Sequence, residues 1–186
     1  MTTEINTIRS DFPASSEDNN QNGNLDTAQV EIQIEKLAER QRQISATIKI
    51  PHPPETIWKI LTNYEALVDF IPNLAKSTLL EHPNGGIRLE QVGTQRLLNI
   101  NFCARVVLDL EELFPKLINF RMVEGDFKGF SGSWCLEPYS QGTILCYTIQ
   151  VWPKLTMPVS IIENRLTKDL QLNLIAICQR AGEFAL

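Results

Sequence analysis

Residues 125–134, GDFKGFSGSW, crowd three glycines, two serines, a lysine and three aromatic residues into ten positions. Such a stretch can cradle a phosphate, frame a nucleophile or bend a sheet. A phosphate loop needs four residues between its glycines, a Lys-Ser/Thr pair after the second and a helix N-terminus behind it. Here Lys128 precedes Gly129, and a strand-like run follows. Ser131 lacks the G-x-S-x-G spacing and the strand-to-helix elbow of a serine nucleophile. Its only imidazole bases, His52 and His82, stand beside prolines in turns far away in sequence. Glu111, Glu112, Glu124 and Asp126 could supply an acid/base pair, which requires two carboxylates facing each other across a cleft. Glu111 instead shares an outward strand face with Asp109, as solvated charges do. Cys103, Cys135, Cys146 and Cys178 are widely spaced with no CxxC pair, and read as small buried hydrophobes in a reducing compartment. With two histidines only, a zinc site is not expected. Lys36, Arg40, Arg42 and Lys49 read as guards of a strand edge rather than as a binding patch. No catalytic residue, metal ligand or cofactor is assigned.

The elements that position these residues follow from composition and periodicity. The 186 residues suit one domain with room for a tail, and the net charge of −5 argues against a nucleic acid partner. Residues 1–28 are polar, rich in Asn, Ser and Asp, and lack periodicity, so a disordered tail is expected there and a folded domain over 29–186. The N-terminus has no basic region followed by an apolar run, and no apolar run approaches the ~18–20 residues of a membrane span. The expectation is a cytoplasmic protein, peripheral to a membrane at most and touching it transiently.

Val30, Ile32 and Ile34 alternate with polar residues, as do Ile44, Ala46, Ile48 and Ile50, which predicts strands with a turn or bulge near Ala38–Arg40. Prolines 53 and 54 and Glu55 suit a first helical turn, followed by Ile57, Ile60, Leu61 and Tyr64 at helical spacing. Leu67, Phe70 and Ile71 predict a second short helix ended by Pro72. A meander follows, with Asn84-Gly85 as a tight hairpin turn and clean alternation over 99–113. Short links throughout make the sheet antiparallel, with about seven strands. Residues 158–182 form a helix whose Val159, Ile162, Leu166, Leu170, Leu174, Ile177, Ala181 and Phe184 fall within an arc of roughly 120°. Asn173 is a polar residue inside that arc, and Glu163 and Arg180 lie on it close to its ends.

A long antiparallel sheet must curve to wrap one helix, and glycines within strands permit the bends. The concave face then carries Phe102, Val106, Leu108, Phe120, Met122, Trp134, Leu136, Tyr147 and Ile149 toward the helix. A gap between them, apolar with a few polar groups, has the form of a small-molecule site; the alternative is that these residues only fill a core. The residues expected to line such a site are those strand residues without Leu136, together with Phe70, Phe130, Ile162, Leu166 and Leu170.

The order of strand, two short helices, meander and long C-terminal helix resembles the START/Bet v1-like (SRPBCC) helix-grip superfamily. Within it the chain is similar to the coenzyme Q-binding and polyketide cyclase/lipid transport branch. The resemblance is carried by IPHPPETIWKILTNYEALVDFIPNL (50–74), VVLDLEE (106–112), FRMVEGDFKGFSGSWCLEP (120–138) and WPKLTMPVSIIENRLTKDL (152–170), and covers residues 29–182. It implies an α+β fold, a curved antiparallel sheet around a C-terminal helix, with a hydrophobic cavity for a prenyl quinone or lipid. It further implies a carrier or chaperone rather than a catalyst. Relatives named as cyclases hold polar catalytic residues in the cavity, and a further relative binds the large ribosomal subunit. A cyclase or dehydratase, or an interaction module on a ribosome or membrane-associated complex, are accordingly the alternatives. No catalytic constellation carries over to this chain. The concave face shows no obvious buried charge, which favours an uncharged apolar ligand. Arg88 and Glu90 would change that only if the strand over 87–93 had the opposite register.

Overall fold

The computed structural model describes residues 6–8, 29–97 and 100–183. Of the tail expected over residues 1–28, Asn6–Ile8 form the short strand β1, and the rest lies outside the described residues. β2 (Glu31–Ala38) and β3 (Gln41–Ile50) make a hairpin turned at Glu39 and Arg40. α1 (Pro54–Thr62) begins on the two prolines, whose missing N–H groups cost nothing in a first turn. The second short helix is a 3-10 turn, Tyr64–Asp69, that stops one residue before Phe70. The meander runs through β4 (Leu74–Leu80), β5 (Ile87–Leu97), β6 (Ile100–Leu113), β7 (Leu117–Gly125), β8 (Gly129–Tyr139) and β9 (Gly142–Trp152). α2 (Val159–Glu183) closes the described chain.

All nine strands pair antiparallel in the order β1-β2-β3-β9-β8-β7-β6-β5-β4. The domain therefore holds eight strands where alternation suggested about seven, because the β2–β3 turn separates two strands. Gly85 takes φ +75° in the β4–β5 turn, the left-handed conformation that a tight hairpin requires. In β8 a side chain at Gly132 would lie 2.6 Å from the Phe120 ring tip and would run into the Thr148 carbonyl. The bare backbone there lets the Phe120 ring close over the sheet.

α2 lies chiefly over β3, with α1 beside it. Alternate β3 residues Ile44, Ile48 and Ile50 are at most 1% exposed, and from α2 Ile162, Leu170, Leu174 and Ile177 meet them. Each such burial contributes roughly 1.5–3 kcal/mol, so the helix is anchored on the β3–β9 half of the sheet. Its N-terminal approach is tied from the β2–β3 hairpin. Arg40 Nη2 donates to the carbonyls of Lys154 and Met157, both at 2.8 Å, and Arg42 Nε pairs with Glu163 at 2.5 Å.

The register of β5 places Leu89 and Gln91 inward. Arg88 points to the convex face, where Nε and Nη2 donate to the two Asp109 oxygens at 2.6 and 2.9 Å. Glu90 does likewise, accepting from Arg105 at 2.5 Å and from Lys76. Both charges are satisfied outside, and the interior of this strand is left to Leu89, Gln91 and Gly93.

Candidate functional site

Between α2 and strands β5 to β9 lies a cavity of about 170 Å³. One water needs ~10–15 Å³ on this kind of measure, so the space is no packing defect. Its floor is a continuous run of rings. Phe127 stacks on Phe130 at 5.4 Å between centroids; Phe130 meets Phe120 at 5.9 Å; Phe120 meets Tyr147 at 6.1 Å; and Tyr147 stacks on Trp134 at 3.5 Å. The last contact is a directly opposed cross-strand pair of β8 and β9. The segment 125–134 supplies three of these five rings. Its Ser131 sits in the ladder opposite Arg121 and Gln150, without a histidine partner.

Val106, Leu108, Phe120, Phe130, Trp134, Tyr147, Ile149, Ile162, Leu166 and Leu170 all border the cavity. Two expected residues do not. Phe70 ends the 3-10 turn and lies under the guanidinium of Arg180, 5.6 Å from its ring centroid, so it packs on the far end of α2. Met122 pairs with the inward-facing Leu108, just before the register of β7 against β6 shifts by one residue, and packs against the core without bordering the cavity. Its sulfur lies over Gly125, 2.8 Å from where a side chain there would begin, rather than over the cavity. Of Phe102 only the backbone is described.

The expectation of a wall without buried charge is corrected. Arg165, with 7% of its side chain exposed, and Asp169, with 17%, both border the cavity, and Arg165 Nε donates to Asp169 Oδ2 at 3.3 Å. Asn73 Nδ2 donates to the other carboxylate oxygen at 3.1 Å. Asn73 has φ +62°, a left-handed conformation that asparagine tolerates, in the turn leading into β4. Gly93 faces Arg165 Nη2, which would stand 3.6 Å from a Cβ there, in ordinary van der Waals contact. Asn173 completes the group, its Oδ1 buried with no hydrogen-bond partner.

Burial dominates the electrostatics here. It raises the Asp169 carboxyl above the usual range, with Arg165 and Asn73 pulling the other way. Burial and then the Asp169 charge hold the Tyr147 phenol well above its ordinary value, so it stays protonated. At the 3-10 end, Tyr64 also borders the cavity and donates to Glu112 Oε1 at 2.5 Å. Burial, then that hydrogen bond and the Glu112 charge, raise Tyr64 as well. Arg165, Asp169, Asn73, Tyr64 and Gln91 were not anticipated. The signal for the first two was their four-residue spacing with Asn173, which puts the three on one ridge of α2.

A sequence profile of the family described as polyketide cyclase / dehydrase and lipid transport matches residues 50–175. No curated protein sequence matches the chain. Several solved structures share its fold. A Thermus thermophilus protein aligns with TM-score 0.66 and 18% identity, over 77% of this chain and 99% of its own. A STAR-related lipid transfer protein from Xanthomonas axonopodis aligns at 0.65 and 14%, over 82% and 93%. The Zhui aromatase/cyclase from Streptomyces sp. R1128 aligns at 0.66 and 16%, over 78% and 96%. At such identities these likenesses show the helix-grip fold and nothing finer.

Proposed function

Since this chain belongs to the polyketide cyclase / dehydrase and lipid transport family, within the START-like (SRPBCC) superfamily, we propose that it binds and carries a hydrophobic small molecule without transforming it. The observation that carries this reading is the cavity itself, about 170 Å³ walled by six aromatic rings and the aliphatic ridge of α2. Apolar surface of that extent facing empty space is unfavourable, and an apolar guest removes it from water. The ligand class is a prenyl quinone or another lipid, and delivery would involve transient membrane contact. Among the described residues no helix is long and apolar enough to cross a membrane.

The polar groups support carriage over chemistry. Asp169 already accepts from Arg165 and Asn73, and Tyr147 is held protonated, so neither stands ready as a general base. Organic extraction and native mass spectrometry of the purified full chain should reveal a bound apolar molecule, or uptake of added quinone or lipid. Ala104 borders the cavity on β6, and Ala104→Trp should fill the space and abolish uptake in a folded variant. A wild-type protein that is empty and ignores every added quinone and lipid would sink this reading.

A second reading has one observation in its favour: two titratable groups, Asp169 and Tyr147, share the cavity with raised pKa values. A cyclase or dehydratase would use them as an acid/base pair. Turnover of a polyketide-type substrate that disappears in Asp169→Asn would establish it in place of simple carriage.

A further inference from the structure

None of the four cysteines expected as buried hydrophobes is fully buried: Cys103 is exposed, and Cys135, Cys146 and Cys178 are partly so. Two of them meet. Cys135 on β8 and Cys146 on β9 are directly opposed residues of the antiparallel ladder. The flanking pairs, Trp134–Tyr147 and Leu136–Leu145, turn into the domain, so the period of two puts both thiols side by side on the convex face. Each thiol leans along its own strand. The Cys135 Sγ–H donates to Glu137 Oε1 at 3.9 Å, and Cys146 Sγ lies 3.7 Å from Thr148 Oγ1. A turn about Cα–Cβ swings each sulfur toward the other. Cys103 is opposed by Thr94, and Cys178 stands on α2, so neither has a cysteine across a ladder.

The backbone allows a bond between the two. Opposed residues of an antiparallel ladder have Cα atoms ~4.5 or ~5.5 Å apart, inside the roughly 4.4–6.8 Å that a disulfide spans. Their Cβ atoms, about 4.5–5.5 Å apart, are wider than the ~3.8 Å a disulfide prefers. Such a bond forms under strain and is easily reduced, as suits a reversible site rather than a permanent staple. We propose that Cys135 and Cys146 are a reversible modification site, a dithiol that closes to a cross-strand disulfide by exchange with a low-molecular-weight disulfide. One thiolate attacks the small disulfide, forming a mixed disulfide and releasing one small thiol. The opposed thiolate then attacks the protein sulfur of that mixed disulfide and expels the second small thiol. The protein pair gives up two electrons and two protons, and the reagent takes them up as two thiols. The site stands independently of the carrier reading. Its bond would brace the two strands whose inner faces carry the Trp134–Tyr147 stack of the cavity floor.

Glutathione disulfide, added to the full-length protein, tests this. Burial first, then Glu137 and Cys146, raise the Cys135 thiol, so mildly alkaline pH speeds the exchange. Free thiols are then blocked with N-ethylmaleimide and the chain is digested with trypsin. The peptide 129–154 holds Cys135 and Cys146 and no other cysteine. The expected product is this peptide two hydrogen atoms lighter, free of glutathione and restored by dithiothreitol. Glutathione on the exposed Cys103 shows that the reagent has acted in the same sample. In Cys146→Ser the second attack is impossible, so Cys135 should keep its glutathione; Cys135→Ser should leave it on Cys146. Stable glutathione on Cys135 or Cys146 of the wild type overturns the proposal, as does a pair still free once Cys103 has reacted. A link between two chains rather than within one overturns it as well. These refuting outcomes are read on the wild type and need no variant to fold.

Discussion

Arg165 and Asp169 sit 3.3 Å apart in a space from which bulk water is largely excluded, so replacing Arg165 by methionine should strand a carboxylate. Breaking a buried pair from one side typically costs about 3–5 kcal/mol. The structure narrows this. The stranded carboxyl can escape by taking up a proton, and from an ordinary value of ~4 that costs about 4 kcal/mol at pH 7, at ~1.4 kcal/mol per unit. Asp169 keeps the Asn73 hydrogen bond and a 17% exposed side chain, which lowers the expected loss to about 3 kcal/mol. The sign with pH is fixed. Asp169 has a folded pKa raised above its unfolded value, so the folded state binds the extra proton and stability rises as pH falls toward the unfolded value. At pH 5 protonation costs only about 1.4 kcal/mol, and the deficit of Arg165→Met should shrink to about that. Urea unfolding followed by circular dichroism at pH 5, 6 and 7 measures both numbers. In Arg165→Met/Asp169→Leu, which buries no charge, stability should return to within about 1 kcal/mol of wild type or exceed it. A single-variant loss under 1 kcal/mol, or one independent of pH, would show that the pair is solvated and would refute the neutral, water-poor cavity end.

Other perturbations test other parts of the fold. Gly132→Ala places a methyl group against the Phe120 ring and the Thr148 carbonyl; overpacking of this kind should cost about 2 kcal/mol and lower Tm by about 4–8 °C in a thermal melt. Alkaline difference spectroscopy should find that Tyr64 and Tyr147, two of the three tyrosines, do not ionise in the ordinary phenol range while the protein is folded. Their raised folded values also mean that stability falls as pH climbs past ~10, where the unfolded phenols ionise. Ala104→Trp should retain near-native circular dichroism yet lose ligand uptake, as set out for the carrier reading.

The fold was legible where burial is periodic. Alternation through Ile44, Ala46, Ile48 and Ile50 and again through Val106, Leu108 and Leu110 marks the strand faces turned into the core, and a strand hides such residues by turning one face inward. Val159 to Glu183 was legible for the same reason at helical period. What escaped were the departures from period. A one-residue bulge just beyond Met122 leaves no trace in hydrophobicity, yet past it Gly125 comes back under the Met122 sulfur, which packs there rather than on the cavity. Phe70 follows a 3-10 turn, whose tighter winding places its last residues differently from an α-helical wheel.

The polar ridge of α2 escaped for a different reason, and it is the more informative one. At about 100° per residue Asp169 falls roughly 20° beyond the apolar arc and Arg165 roughly 60° beyond it, so each reads as the ordinary solvated flank of an amphipathic helix. That reading assumes the helix is covered evenly on its apolar side only. Here α2 leans onto β3, and the opposite flank overhangs a gap toward β5 and β6. A flank that would meet water on an evenly seated helix therefore meets the cavity, where Asn73 from the turn before β4 rises to meet Asp169. Whether a helical flank is solvent or site is thus decided by where the helix is anchored. The anchors are the Arg42–Glu163 pair and the Ile44–Ile48–Ile50 face, which hold a different side of the helix from the residues whose surroundings they determine.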